Sequence, residues 1–436
     1  MRLTGTVVAD SDTVYEDGAV VTSGDEIVAV GDRQRLVQQY PDHDSRSFDI
    51  VAPGLVGSHV HSVQSLGRGI ADDEALLDWL FDHVLPMEAA MDAEQMRTAA
   101  TLGYMECLAS GVTTVVDHLS VAHADQAFEA AGEIGIRGLL GKVLMDHDAG
   151  ALQENTDAAL AESERLIERY HGAFDDRIRY AVTPRFAVSC TERCLRGARE
   201  LADAYDDVRI HTHASENRDE IQTVEDRTGM RNVEWLDEVG LTGPDVTLAH
   251  CVWTDETERA ILAETDTTVV HCPSSNMKLA SGIAPVEGYL QRGITVALGN
   301  DGPPCNNTLD PFTEMRQAAL LAKVDGLDAT ALPAATVFRM ATEHGGQATG
   351  FDVGALTPGR PADVIGLATD TARSTPVHDP LSHLVFAAHG DDVRFTMVDG
   401  EIVYDDGSFA RVDGDAVRAD ARRHADTIYA ELSSKD

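Results

Sequence analysis

Val51-Ala-Pro-Gly-Leu-Val-Gly-Ser-His59-Val-His61 is the stretch from which the fold is read. With Ile50 before it, the apolar residues Val51, Leu55 and Val56 predict a short buried strand, broken at Pro53-Gly54 and ending in two histidines. Side chains alternate faces along a strand, so His59 and His61 point the same way. Two neutral imidazoles on one face can hold a transition-metal ion. A lone His-x-His is more often a pair of satisfied core histidines. Here further ligand-type residues follow at the ends of later strands, as far as residue 301, and they reverse that weighing.

Outward from this stretch, strands alternate with helical segments, the mark of a parallel α/β arrangement. Eight strands are expected at 50–61, 112–117, 138–145, 178–184, 208–213, 246–251, 268–272 and 294–301. Amphipathic stretches such as 95–110, 156–170, 191–205 and 255–264 lie between them. This pattern predicts a (β/α)₈ TIM barrel over 51–354, with its chemistry at the C-terminal ends of the strands. Residues 1–50 and 355–412 read instead as turns and short strands. The simplest packing joins both chain ends in one small composite β-sandwich. Residues 413–436 are expected to form a C-terminal surface helix.

Composition narrows the function. The 74 acidic and 34 basic residues give a net charge of −40, and only Lys142, Lys278, Lys323 and Lys435 are lysines. Such a surface repels nucleic acid and anionic membranes, which argues against both as partners. The acidic residues are spread along the chain, and their mutual repulsion is relieved by salt. We therefore expect a halophilic protein. No apolar run approaches a membrane span, and Met1-Arg-Leu-Thr-Gly-Thr-Val-Val lacks a signal-peptide core, so a soluble, cytoplasmic protein is expected. The six cysteines include no Cys-x-x-Cys pair and are expected to be free thiols.

Four strand ends carry candidate site residues. The first supplies His59 and His61. The fifth reads His211-Thr-His213-Ala-Ser-Glu216, where His211 and His213 share a face and spacing alone does not choose between them. The sixth ends at His250 and the eighth at Asp301. Three histidines and one aspartate make a mixed N/O set for Zn²⁺, with Fe²⁺ as the alternative ion, and leave a position for water. Asp301 can touch the metal and accept the water's proton, His250 can orient the attacking oxygen, and Glu216 can act as the acid/base group. Taken singly, Asp301 could instead open a turn before Gly302, and Glu216 could cap the next helix. Together the four strand ends favour a site.

Pro53-Gly-Leu-Val-Gly-Ser-His59-Val-His61, His213-Ala-Ser-Glu216, Ala249-His250-Cys251, His271-Cys-Pro-Ser-Ser-Asn276 and Asn300-Asp301-Gly302 resemble the amidohydrolase superfamily. Within it they are similar to the branch of adenosine-type nucleoside deaminases, guanine deaminases and triazine hydrolases. The resemblance spans roughly residues 5 to 405. It implies one metal ion per chain, held by His59, His61, His213 and Asp301, with Glu216, His250 and Asp301 catalytic. It also implies a homo-oligomer acting on a small-molecule purine nucleoside or base. Two-metal relatives need a carboxylated lysine, for which Lys142 is the sole candidate. Trp79 and Glu88 match nucleoside-contacting positions of S-adenosylhomocysteine and methylthioadenosine deaminases. Gln64 and Arg185 resemble the oxo-purine contacts of guanine deaminases. A carboxylate placed for a ribose diol has little use with a free base, so the nucleoside reading comes first. Guanine-type deamination is the alternative, and triazine or cyclic amide hydrolysis follows it.

Overall fold

The computed structural model describes residues 1–433. Eight parallel strands form the barrel in chain order: Leu55–Val60, Val112–His118, Arg137–Gly141, Ile178–Pro184, Arg209–Ala214, Val246–His250, Thr268–His271 and Val296–Leu298. Helices lie between the strands and cover them outside, so strands such as Val112–His118 are buried at every position. The ring closes where the Asp301 N–H donates to the His59 carbonyl (2.9 Å). That bond sets the end of the eighth strand beside the two histidines of the first.

Both chain ends build the second sheet. Arg2–Val8, Val14–Ser23, Glu26–Asp32 and Ser45–Pro53 come from the N-terminal side. Val364–Leu367, Val393–Val398, Glu401–Asp405 and Ser408–Phe409 come from the C-terminal side, and all eight strands join in one sheet. The two halves meet where Ser45–Pro53 pairs antiparallel with Val364–Leu367. Leu3, Val7, Val20, Val51, Phe395 and Met397 share its apolar core.

The stretch expected as one strand at 50–61 is two. Ser45–Pro53 stays in the terminal sheet, and the barrel begins only at Leu55. Gly54 is the hinge: its N–H donates to Asp363, while that of Leu55 donates to Gly111, so hydrogen-bonding partners change sheet within one residue. A Cβ at Gly54 would stand 2.0 Å from Thr113 Oγ1, which only glycine avoids. Ion pairs then fasten the two units. Arg137 at the base of the third barrel strand pairs with Asp363 (3.0 Å) and Asp399, and Arg177 with Asp399 (3.0 Å) and Glu401 (2.8 Å).

The last helix, Gly414–Ser433, buries Ala421, His424 and Ile428 and packs on the helix Ala93–Ala109. Residues 434–436 of that expected segment lie outside the described residues. All six cysteines are free and buried. Among the described residues no helix is long and apolar enough to cross a membrane.

Candidate metal and catalytic centre

The strand ends that carry the site are locally strained. Ser215 (φ 52°), His250 (φ 74°) and Asp301 (φ 64°) sit in the left-handed region, where a non-glycine residue costs about 1 kcal/mol or more. These residues follow or end the fifth, sixth and eighth strands.

Hydrogen-bond partners assign the imidazole tautomers. His61 Nδ1–H donates to the His118 carbonyl (2.7 Å) and His213 Nδ1–H to the Arg185 carbonyl (2.6 Å). Both Nε2 atoms therefore carry lone pairs, yet they face each other at 3.3 Å. His59 Nδ1 meets His211 Nε2 at 2.7 Å, and His211 Nδ1 meets the Thr247 hydroxyl at 2.6 Å. With His211 donating to Thr247 and accepting from His59, His59 Nε2 is also left as a lone pair. It has no hydrogen-bond partner among the described residues. Asp301 Oδ1 stands 3.5 Å from His59 Nε2 and 3.4 Å from His61 Nε2.

Three nitrogen lone pairs and a carboxylate oxygen thus converge with no proton among them, an arrangement that repels itself unless a cation lies between. Burial drives the rings of His61 and His213 well below their usual pKa and keeps them neutral. Burial works against the Asp301 carboxylate, and a cation between these lone pairs would hold it ionised. Neutral imidazoles and an ionised carboxylate are the donor states a divalent transition ion such as Zn²⁺ binds. The structure thus gives the two histidines of the fifth strand separate places. His213 turns Nε2 into the cluster, and His211 supports His59 from behind, as an outer-shell partner does.

Beside this cluster stand the acid/base groups. Glu216 Oε2 lies 3.5 Å from His250 Nε2, and Oε1 accepts from the Ser281 hydroxyl (3.2 Å). Burial lifts the Glu216 carboxyl to about 7, aided by the charges of Asp301 and Glu220 and opposed by His250. His250 donates Nδ1–H to Asn276 Oδ1 (2.9 Å) and aims Nε2 between Glu216 and Asp301 Oδ2 (3.9 Å). Burial works against its cationic form, but the two carboxylates raise its pKa. Asp301 Oδ2 also accepts from the Ser275 hydroxyl (2.6 Å).

His61, His213, Glu216, His250 and Asp301 share one small cavity of about 20 Å³ with Trp79 and Arg185. Leu76, Trp79 and Leu80 also line it, the last two from a π-helical stretch, Trp79–Val84. The Trp79 indole N–H and one Arg185 guanidinium nitrogen, Nη1, have no partner among the described residues. Gln64 and Glu88 are not on this wall. They form one buried unit: Gln64 Nε2 donates to Glu88 Oε1 (2.8 Å) and the Ser120 hydroxyl to Glu88 Oε2 (2.6 Å). Lys142 is committed elsewhere, donating to the Val143 carbonyl (3.1 Å) and pairing with Glu154.

Sequence reasoning left several site residues without a role. His118 is wholly buried, with its ring 4.7 Å from that of His213 and 5.3 Å from that of His61. It ends the second barrel strand, and that position was its only signal. Ser275 and Asn276 were in a stretch that carried the resemblance, but only the fold shows what they touch.

Known proteins resemble this chain over most of its length. The amidohydrolase family model matches residues 50–403. The chain belongs to the amidohydrolase family. Among curated relatives of this amidohydrolase, a 5′-deoxyadenosine deaminase of Methanothermobacter thermautotrophicus is 44% identical over 358 residues, 82% of each chain. A 5-methylthioadenosine/S-adenosylhomocysteine deaminase of Haloarcula marismortui is 40% identical over 98% of each chain. Among solved structures, an adenosine deaminase from Xanthomonas campestris with bound zinc superposes with a TM-score of 0.93. It is 32% identical and covers 98% of both chains.

Proposed function

We propose that this amidohydrolase is a zinc-dependent deaminase of adenosine-type nucleosides of the 5′-deoxyadenosine, 5′-methylthioadenosine and S-adenosylhomocysteine class. It would replace the C6 amino group by oxygen and release an inosine-type nucleoside and ammonia. The observation that carries the reading is Glu216: a buried carboxyl with a pKa of about 7, set against His250 at the edge of the His/Asp cluster. It is the acid that protonation of a purine ring nitrogen at neutral pH requires.

His59, His61, His213 and Asp301 would hold zinc, which would supply a Lewis acid that lowers the pKa of water at the site toward ~7. The chain's own groups do the rest. Asp301 takes the proton of the attacking water on Oδ2, the oxygen that faces His250. His250 Nε2 orients the incoming oxygen toward C6. Glu216 gives its proton to N1, so the ring nitrogen, not carbon, carries the electron pair displaced by attack. As the tetrahedral carbon collapses, the proton held by Asp301 leaves with the amino group as ammonia. The hydroxyl proton left on C6 passes to Glu216, which gives the 6-oxo product and restores the acid.

The substrate assignment rests on Trp79, Arg185, Gln64 and Glu88. Trp79 and Arg185 line the cavity, and each has one donor without a partner among the described residues. Gln64 Nε2 already donates to Glu88 behind the cavity wall, which weakens its use as an oxo-purine donor, and Glu88 would meet ribose hydroxyls only once that wall opens. A cavity of about 20 Å³ holds little more than a water. Nucleoside entry therefore requires the wall of this cavity to open. The reading keeps a cytoplasmic homo-oligomer, and the net charge of −40 supports adaptation to high salt.

Ammonia release by the zinc-loaded protein from adenosines with varied 5′ groups, adenine and guanine tests the proposal. Turnover of 5′-modified adenosines well above either base is expected. A preference for guanine would replace this reading with the base-deaminase alternative.

A further inference from the structure

We propose that Glu220 is the positioning residue for Glu216, fixing the turn that aims the catalytic carboxyl. The inference rests on the general-acid reading of Glu216. Its starting point is a backbone group. The fifth barrel strand ends at Ala214, Ser215 is left-handed, and Asn217 caps the helix Arg218–Thr228. The Glu216 N–H falls between strand and helix and is buried, so it needs an acceptor from elsewhere. Glu220 Oε2 provides it at 2.7 Å.

Glu220 is itself locked. Its side chain is wholly buried, its other oxygen accepts from Asn232 Nδ2 at 2.5 Å, and its own N–H is capped by Asn217 Oδ1 at 2.8 Å. No lysine or arginine pairs with it among the described residues. A carboxylate buried on the face that also buries Ile221 and Val224 is costly where any neutral acceptor would satisfy one N–H. The clamp makes sense when set beside how loosely the Glu216 carboxyl is held. That group has one long hydrogen bond, from Ser281 at 3.2 Å, and a 3.5 Å approach to His250. Its aim therefore depends on its backbone, and its backbone is held by Glu220. The charge of Glu220 also acts in the useful direction, helping to keep Glu216 protonated.

A double-mutant cycle on the zinc-loaded enzyme tests this, with Glu216→Gln, Glu220→Ala and their combination, each checked for zinc content and melting temperature. Glu220→Ala is expected to lower kcat at least ~10-fold, as misaiming an acid/base group does, with KM and zinc content nearly unchanged. In the Glu216→Gln background it should cost less than ~3-fold, because the two changes remove one function. Glu220→Gln should recover most of the loss: its Oε1 can accept the same N–H while its amide turns to Asn232 Oδ1, which has no partner. Losses that multiply, or an unchanged kcat in Glu220→Ala, would overturn the assignment. If the alanine variant does not fold, Glu220→Asp, one methylene short of the Glu216 N–H, must lower kcat in the folded protein, and full activity there overturns the assignment as well. An active Glu216→Gln enzyme would instead sink the general-acid reading, and this inference with it.

Discussion

Glu88→Gln is the substitution that separates a nucleoside site from a base site with least damage to the fold. In the native protein each Glu88 oxygen accepts one hydrogen bond, from Gln64 Nε2 (2.8 Å) and the Ser120 hydroxyl (2.6 Å), and each keeps a lone pair for substrate. Alanine here would strand both donors in a buried space at ~1–3 kcal/mol each, confusing stability with binding. Glutamine avoids this. Its oxygen can take the Ser120 hydroxyl, and its amino group can meet Gln64 Oε1, which has no partner, once the Gln64 amide turns over. For a ribose diol, two charge-assisted bonds worth ~1.5–3 kcal/mol each become at best one neutral bond worth ~0.5–1.5. The loss is ~1.5–5.5 kcal/mol, or at least ~10-fold in kcat/KM. Ammonia release from 5′-deoxyadenosine and from its 2′,3′-dideoxy analogue measures it. The variant should lose that factor on the first and less than ~3-fold on the second. Equal losses on both would show that Glu88 serves only to hold Gln64, and would refute the diol contact.

Three further outcomes follow from the site and the surface. The purified chain should hold one zinc, since Lys142 is engaged by Glu154, and His213→Ala should abolish its binding. His211→Ala should weaken it only ~10- to 100-fold, as loss of an outer-shell partner does. Metal analysis that finds two ions, or the reverse order of the two variants, contradicts the ligand set. With Glu216 titrating at about 7 and active when protonated, kcat/KM should fall tenfold per unit above that pH, and the Glu216→Gln variant should lack this limb. A native rate that keeps rising there would show that another group is the acid. A charge of −40 should make the melting temperature climb with KCl as the Debye length shrinks from ~10 Å at 0.1 M to ~3 Å at 1 M. A flat response would remove the case for salt adaptation.

The barrel was legible because its strands are short apolar runs separated by amphipathic helices, and its ligands because they cluster at strand ends. What sequence hid was mostly a matter of partners. Continuity of apolar residues across Pro53-Gly54 suggested one strand, while the change of sheet depends on Gly111, Thr113 and Asp363 approaching from far along the chain. Spacing left His211 and His213 equivalent; what separates them is the ring of His59 and the hydroxyl of Thr247. Gln64 and Glu88 read as evidence for rival substrates, yet folding makes them a single hydrogen-bonded unit. Nothing in the sequence marked Glu220, and only the buried Glu216 N–H and Asn232 reveal its place.

Competition in one vessel tests the central claim most directly. The zinc-loaded protein is given equal concentrations of 5′-deoxyadenosine, adenine and guanine, and the products are separated by chromatography over time. The account predicts that 5′-deoxyinosine and ammonia appear first while both bases remain. Xanthine accumulating ahead of any inosine-type nucleoside would contradict it.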